Sequence, residues 1–301
     1  METQTTQAAA PAPAAPPPVA LVGYRGIKEK GMPKTGFGLL VALPKSGKSE
    51  LAAGFPGAYV LELDEHDADH IAGRIDDIMA VVDMDGNEIK SKMQVFREKL
   101  NAATKDPSVQ TIVIDTVETL VGLFQDEIAA KHGVASMSVK EKGVNTRDMW
   151  GELKQRVENL VDYMNASGKL FVLCTHCKAP EKDENGVVTI PAGINVPGQS
   201  SAVLAGRAKF IGYCYKKELG TGQGYYVSFR GGPLGVWGSR VAGLNDKTLL
   251  LPKGQGYAVI EAAANAQPEA VPAEAQVPAA ETKTAAPAKD ETTAPKAVNK
   301  P

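Results

Sequence analysis

The run Ala42-Leu43-Pro44-Lys45-Ser46-Gly47-Lys48-Ser49-Glu50 sets a glycine, an ammonium group and a hydroxyl in direct succession after an apolar stretch. That succession suits a polyphosphate. Gly47 lets the backbone turn so that successive N–H groups converge on one phosphate at a helix N-terminus. Lys48 brings positive charge to the β- and γ-phosphates, and Ser49 offers a hydroxyl ligand to Mg²⁺. The spacing fits G-x-x-x-x-G-K-[ST], with Ala42 in place of the first glycine, a substitution that works if Ala42 keeps a negative φ. Ala42, Pro44, Lys45, Ser46, Gly47, Lys48, Ser49 and Glu50 are therefore the expected nucleotide-binding residues. The competing reading is a chance Gly-Lys-Ser in a turn. An apolar run before it and the helix-compatible Glu50-Leu-Ala-Ala after it weigh against chance.

A second group belongs with the first. Thr111-Ile-Val-Ile-Asp115 is an apolar strand pattern ending in a carboxylate, the place from which an acid holds Mg²⁺ through water. Asp115 as a plain helix N-cap is the alternative. The guanine-reading sequence N-K-x-D is absent, which favours ATP over GTP. Two other patterns carry less. Cys174-Thr-His-Cys177 has redox or zinc spacing, but a zinc site needs four ligands and the remaining Cys214 stands alone, so buried strand cysteine is the better reading. His66 and His70, four apart in an acidic run, are explained by a strand tip entering a helix, and Trp150 by packing.

These residues need elements to position them. Strand patterns occur at Phe37–Ala42, Ala58–Leu63, Thr111–Ile114, Leu170–Cys174, Phe210–Tyr215 and Tyr225–Phe229. Helical faces are formed by Val117, Leu120, Val121, Phe124 and Ile128, and by Leu153, Val157, Leu160, Val161 and Met164. Alternation of this kind predicts an α/β fold, a mainly parallel sheet with helices on both faces and ligands at the carboxyl ends of the strands. Of the 20 prolines, eleven lie in the first 18 and last 34 of the 301 residues, so the ends differ in composition from the middle. The expected organisation is a tail over 1–19, a folded domain over 20–262 and a second tail over 263–301, both tails too poor in apolar surface to order themselves. A net charge of −2 excludes binding of nucleic acid by bulk charge, though not through a local basic loop. No apolar run approaches the roughly 18 residues of a membrane helix. With three cysteines and no basic-then-apolar leader, the expected location is a reducing cytoplasm, bacterial or that of a phage-infected cell.

Several further segments, taken in order, resemble RecA-like P-loop ATPases. Tyr59-Val-Leu-Glu-Leu-Asp-Glu65-His66 is similar to their second strand, and Leu170-Phe-Val-Leu-Cys-Thr-His176 to the later strand that ends in a γ-phosphate sensor. Pro197 to Gly206 resembles the segment after the second DNA-binding loop, and Gly238-Ser-Arg240 the hairpin that carries a basic residue to the neighbouring subunit. The likeness spans about Gly36 to Arg240 and looks closest to phage-encoded nucleotide-binding, single-strand-annealing recombinases. It implies a RecA-like P-loop core with C-terminal antiparallel hairpins, bound ATP and Mg²⁺, and a homo-oligomeric ring or filament on single-stranded DNA. Catalytic roles would fall to Lys48, Glu65, Asp115, His176 and Arg240, with Glu65 orienting water and Arg240 acting across an interface. The family's lysine beside that arginine is replaced by Gly238.

The same resemblance places DNA against two segments, one with Lys140, Lys142 and Arg147, the other with Lys178 and Lys182. The second is charge-balanced through Glu181, Asp183 and Glu184, and reads equally as a solvated hairpin turning at Asn185-Gly186. The expected activity is ATP hydrolysis in DNA recombination or annealing, with the tails free to recruit a recombination or replication partner. A P-loop kinase of a small molecule competes, although no paired arginines of a lid lie between Asp115 and Ser167. An ATP-binding clamp with little turnover is the third reading, and it would tolerate loss of Glu65.

Overall fold

The computed structural model describes residues 31–64, 71–138, 146–186, 188–190, 192–220, 222–232 and 235–266. In chain order they form Gly36–Ala42 (β1), Lys48–Ala53 (α1), Ala58–Glu62 (β2), Arg74–Asp77 (β3), Val81–Val82 (β4), Glu88–Lys90 (β5) and Lys92–Lys105 (α2). Thr111–Asp115 (β6), Val117–His132 (α3), Thr146–Ala166 (α4) and Leu170–Lys178 (β7) follow. The short strands Glu181–Lys182 (β8), Val188–Ile190 (β9) and Gly193–Ile194 (β10) lead to Ser200–Arg207 (α5). Phe210–Leu219 (β11), Gly222–Ser228 (β12), Gly238–Ser239 (β13), Thr248–Leu251 (β14) and Gly256–Asn265 (α6) complete the described fold.

One sheet runs in the order β14-β12-β11-β1-β7-β6-β2-β3. From β11 to β3 every neighbour is parallel. β12 and β14 extend the sheet antiparallel beyond β11. β1 and β6 are buried at every position, which is why both read as unbroken apolar runs rather than alternating ones. Phe37, Leu39 and Val41 pack in a core with α2, α3 and α4, whereas Leu40 and Ala42 pack in a second core with α1 and α6. The helical faces expected at Val117–Ile128 and Leu153–Met164 are the buried faces of α3 and α4.

The strand ends depart from the sequence reading for local reasons. β7 continues past Cys174 because Cys177 and Lys178 pair with β10, and β11 continues to Leu219 as one arm of a hairpin with β12. β3, with sequence Arg-Ile-Asp-Asp, escaped notice because it lies at the sheet edge with half its residues exposed. α6 carries regular structure to Asn265, past the boundary expected at Ala262. On the face of β11 and β12 that carries Tyr213 and Tyr215, aromatic rings form a ladder. Trp237 stacks on Tyr213 at 4.6 Å, Tyr213 on Tyr215 at 5.7 Å, and Tyr215 on Tyr226 at 5.4 Å. Among the described residues no helix is long and apolar enough to cross a membrane.

Candidate nucleotide site

Strand register brings the expected chemistry to one edge. Ala42 at the tip of β1 lies beside His176 of β7, Asp115 of β6 lies beside Cys174 of β7, and Glu62 of β2 lies beside Asp115. Ala42 is a strand residue outside the left-handed region, so an alanine serves there. The loop that follows turns through two left-handed residues, Lys45 at φ 62° and Gly47 at φ 81°. Gly47 is required twice over. Its φ strains any side chain, and a Cβ would stand 2.8 Å from Cδ1 of Tyr225. Leu51 N–H then donates to the Gly47 carbonyl at 3.0 Å, starting α1 with Lys48 and Ser49 in its first turn.

From that turn Lys48 reaches across the strand tips, its Nζ 3.1 Å from Oδ1 of Asp115. Both side chains are largely buried. Burial alone would depress the ammonium, but nearby acidic groups outweigh it and hold the Lys48 pKa above its ordinary value. Cys174 is one of those groups, yet its own thiol is pushed well up by complete burial and is neutral near pH 7. Asp115, which also hydrogen-bonds the ammonium, is therefore the partner that counts. Leu43 to Glu50, His176, Lys216 and Tyr225 line a cleft of about 490 Å³. A second cleft of about 390 Å³ shares Gly47, Glu50 and Tyr225 with it and continues between Leu51, Leu251 and the Lys253–Tyr257 turn. The first is polar enough for phosphates, and the second has the size and tyrosine lining for a nucleoside.

The AAA domain family matches residues 37–241, from β1 to just beyond β13. The chain belongs to that family. No curated protein matches it. Among solved structures it is similar to a KaiC-like protein from the hyperthermophilic archaeon Pyrococcus horikoshii OT3, at 14% identity and a TM-score of 0.38, over 74% of this chain and 88% of that one.

In this AAA domain the oxygen donors of Ser49 and Asp115 fit Mg²⁺, a hard cation that keeps several waters and takes one or two protein ligands beside the phosphates. Bound there, Mg²⁺ would neutralise charge on the phosphates. Among the described residues no cluster of three or more His, Cys, Asp and Glu could hold a metal by itself. Cys174 and Cys177 belong to the two opposite cores of the sheet, so they cannot act as a redox pair or as two ligands of one ion. His66 and His70, like Glu65, lie outside the described residues.

Two acids were not anticipated. Glu62 is buried at the end of β2 beside Asp115. Glu118, in the first turn of α3, accepts from the backbone N–H of His176 at 2.8 Å and also binds Nδ1 of the same residue. Its presence three residues after Asp115 was visible, but nothing in the spacing connected it to a histidine 58 residues away. Asp64 is held by the hydroxyls of Thr116 and Thr119, which ties the end of β2 to the start of α3.

Arg240 lies elsewhere. It follows β13, which pairs with Phe210 and Ile211 at the start of β11, the sheet end opposite the Lys48 loop, and its guanidinium donates to the Gly206 carbonyl. Of the DNA-facing candidates, Lys140 and Lys142 lie outside the described residues, and Arg147 sits in the first turn of α4. Lys178 pairs with Glu181 at 2.8 Å. Lys182 is exposed in a hairpin formed by β8 and β9, with Gly186 at φ 78° in its turn. Trp150 packs against the core, in keeping with the packing role expected for it.

Proposed function

We propose that this AAA domain is a Mg²⁺-dependent ATPase. The observation that carries the reading is the Lys48–Asp115 pair, whose lysine lines the phosphate cleft. Two elements far apart in sequence converge there on one point, a cation from the turn that grips phosphates and an acid from the strand that holds Mg²⁺. The adjoining cleft beside Tyr225 takes the nucleoside. Glu65 serves as the water-orienting acid in this reading, supported by the resemblance of its strand. Glu65→Gln separates an ATPase, which loses turnover, from a nucleotide-dependent clamp, which does not.

The chain further acts, in our reading, as an oligomer on single-stranded DNA in recombination or annealing. Support comes from the order of the RecA-like segments and from the placement of Arg240 away from its own phosphate loop, as an arginine serving a neighbour would be. Lys182 is exposed on the β8–β9 hairpin, where it adds one cation to a segment that Glu181, Asp183 and Glu184 otherwise balance. The test is ATP hydrolysis measured with and without single-stranded DNA at two salt concentrations, with particle size followed by light scattering in the same samples. DNA-stimulated turnover that weakens with salt and rises with assembly is expected. Turnover indifferent to DNA, salt and protein concentration overturns the DNA and assembly parts while leaving the ATPase standing.

A further inference from the structure

Resting on the nucleotide reading of the cleft, we propose that Glu118 is the positioning residue for His176, fixing the imidazole so that its Nε2 holds a water against the terminal phosphate of the nucleotide. His176 directly neighbours Ala42 in register and lines the phosphate cleft with Leu43 to Glu50. Its ring has two nitrogens, and the structure assigns one of them. Nδ1 is bound to Oε1 of Glu118, the same oxygen that accepts the His176 backbone N–H at 2.8 Å. A carboxylate only accepts, so Nδ1 carries the proton and Nε2 faces the cleft as an acceptor. Phosphate oxygens accept too, so the two meet through a water that donates to both.

Three features make this a positioning device rather than a surface ion pair. Both donors belong to one residue and meet one oxygen, which fixes the carboxylate against the strand as well as against the ring. Glu118 is only 16% exposed and His176 31%, and the second carboxylate oxygen, Oε2, is buried without a hydrogen-bond partner. A buried charge that leaves one oxygen unsatisfied is costly, so its place behind a cleft-lining histidine calls for a reason beyond stability. Glu118 also sits in the first turn of α3, where the helix dipole favours its charge. That turn directly follows the β6 tip carrying Asp115, so the acid paired with Lys48 and the acid orienting His176 are held by one continuous segment.

The test uses the full-length chain and reads kcat, KM for ATP, ADP affinity and melting temperature. Glu118→Gln keeps the volume but removes the charge that selects the Nδ1–H tautomer. It is expected to lower kcat at least tenfold while ADP affinity stays within twofold of the native chain. His176→Ala is expected to do the same, and the double variant to be no slower than His176→Ala alone, because residues acting as one unit are not additive. His176→Asn keeps a donor near Nδ1 for Glu118 but has no group at the Nε2 position, so it should be as slow as His176→Ala. That variant decides the matter if Glu118→Gln does not fold. Native kcat in Glu118→Gln or His176→Asn, or losses that multiply in the double variant, would overturn the proposal. So would a fall in kcat matched by an equal fall in ADP affinity. Native hydrolysis by a chain carrying Lys48→Ala would instead sink the nucleotide reading itself, and that result is independent of residue 118.

Discussion

The phosphate cleft and the lysine-bearing segments make opposite use of the same chain. At the cleft, four parallel strands end side by side, and their register alone brings Ala42, His176, Asp115 and Glu62 together before any side chain is considered. The β8–β9 hairpin lies off the large sheet, its strands span two and three residues, and Lys178 is already paired with Glu181 within its own segment. Chemistry that needs fixed distances sits on the rigid strand tips, whereas contacts that need only charge can be made from a loop.

The contrast can be broken at several levels. Lys48→Ala should lower ATP turnover by about 10²–10³ or more, the scale for losing a preorganised charge at a developing anion, and an assay showing native turnover would dissolve the contrast. Ile114→Ala, beneath the strand tips and fully buried, should cost about 2–5 kcal/mol of stability in urea unfolding. Met84→Ala in the β4–β5 hairpin, where the side chain is fully exposed, should change it by less than about 0.5 kcal/mol. Replacing Lys178 and Lys182 together by Ala should flatten the salt dependence of single-stranded DNA binding by about 1.4 in log–log slope, 0.7 for each lost phosphate contact. An unchanged slope in fluorescence anisotropy would remove that hairpin from any DNA surface.

A pH-dependent effect concerns Glu152 of α4. Hydrogen bonds from Lys131 foremost, then from Arg156 and His132, outweigh partial desolvation and draw its pKa from 4.5 down to about 2. A depressed carboxylate stabilises the fold above its unfolded pKa and loses that contribution as pH falls through the folded value. Glu152→Gln should therefore destabilise by under about 1 kcal/mol at pH 7, a partly exposed network being screened. The difference between variant and native melting curves should shrink between pH 4.5 and pH 2.

Legibility in the sequence followed the same divide. β1, β6 and the first half of β7 were readable because burial on both faces leaves an apolar signature, and the Gly47-Lys48-Ser49 turn was readable because its chemistry is local. Asp115 was found from its strand. Glu118 and Glu62 were not, since their significance depends on which strands become neighbours, a property of topology rather than of any window of residues. β3 and β14 were missed for a simpler reason. One is a charged edge and the other a four-residue strand with two exposed positions, and neither carries a pattern that distinguishes it from a loop.

The chain has two tryptophans, and both pack against one core from different elements. Trp150 rides on α4, while Trp237 lies flat against Tyr213 of β11, the last parallel strand before the antiparallel extension. With either indole replaced by phenylalanine, the emission of the other reports its own place on that core, the α4 face or the β11 strand. Denaturant titrations followed through each in turn would then show whether the β11 edge loosens before α4 or the two melt as one.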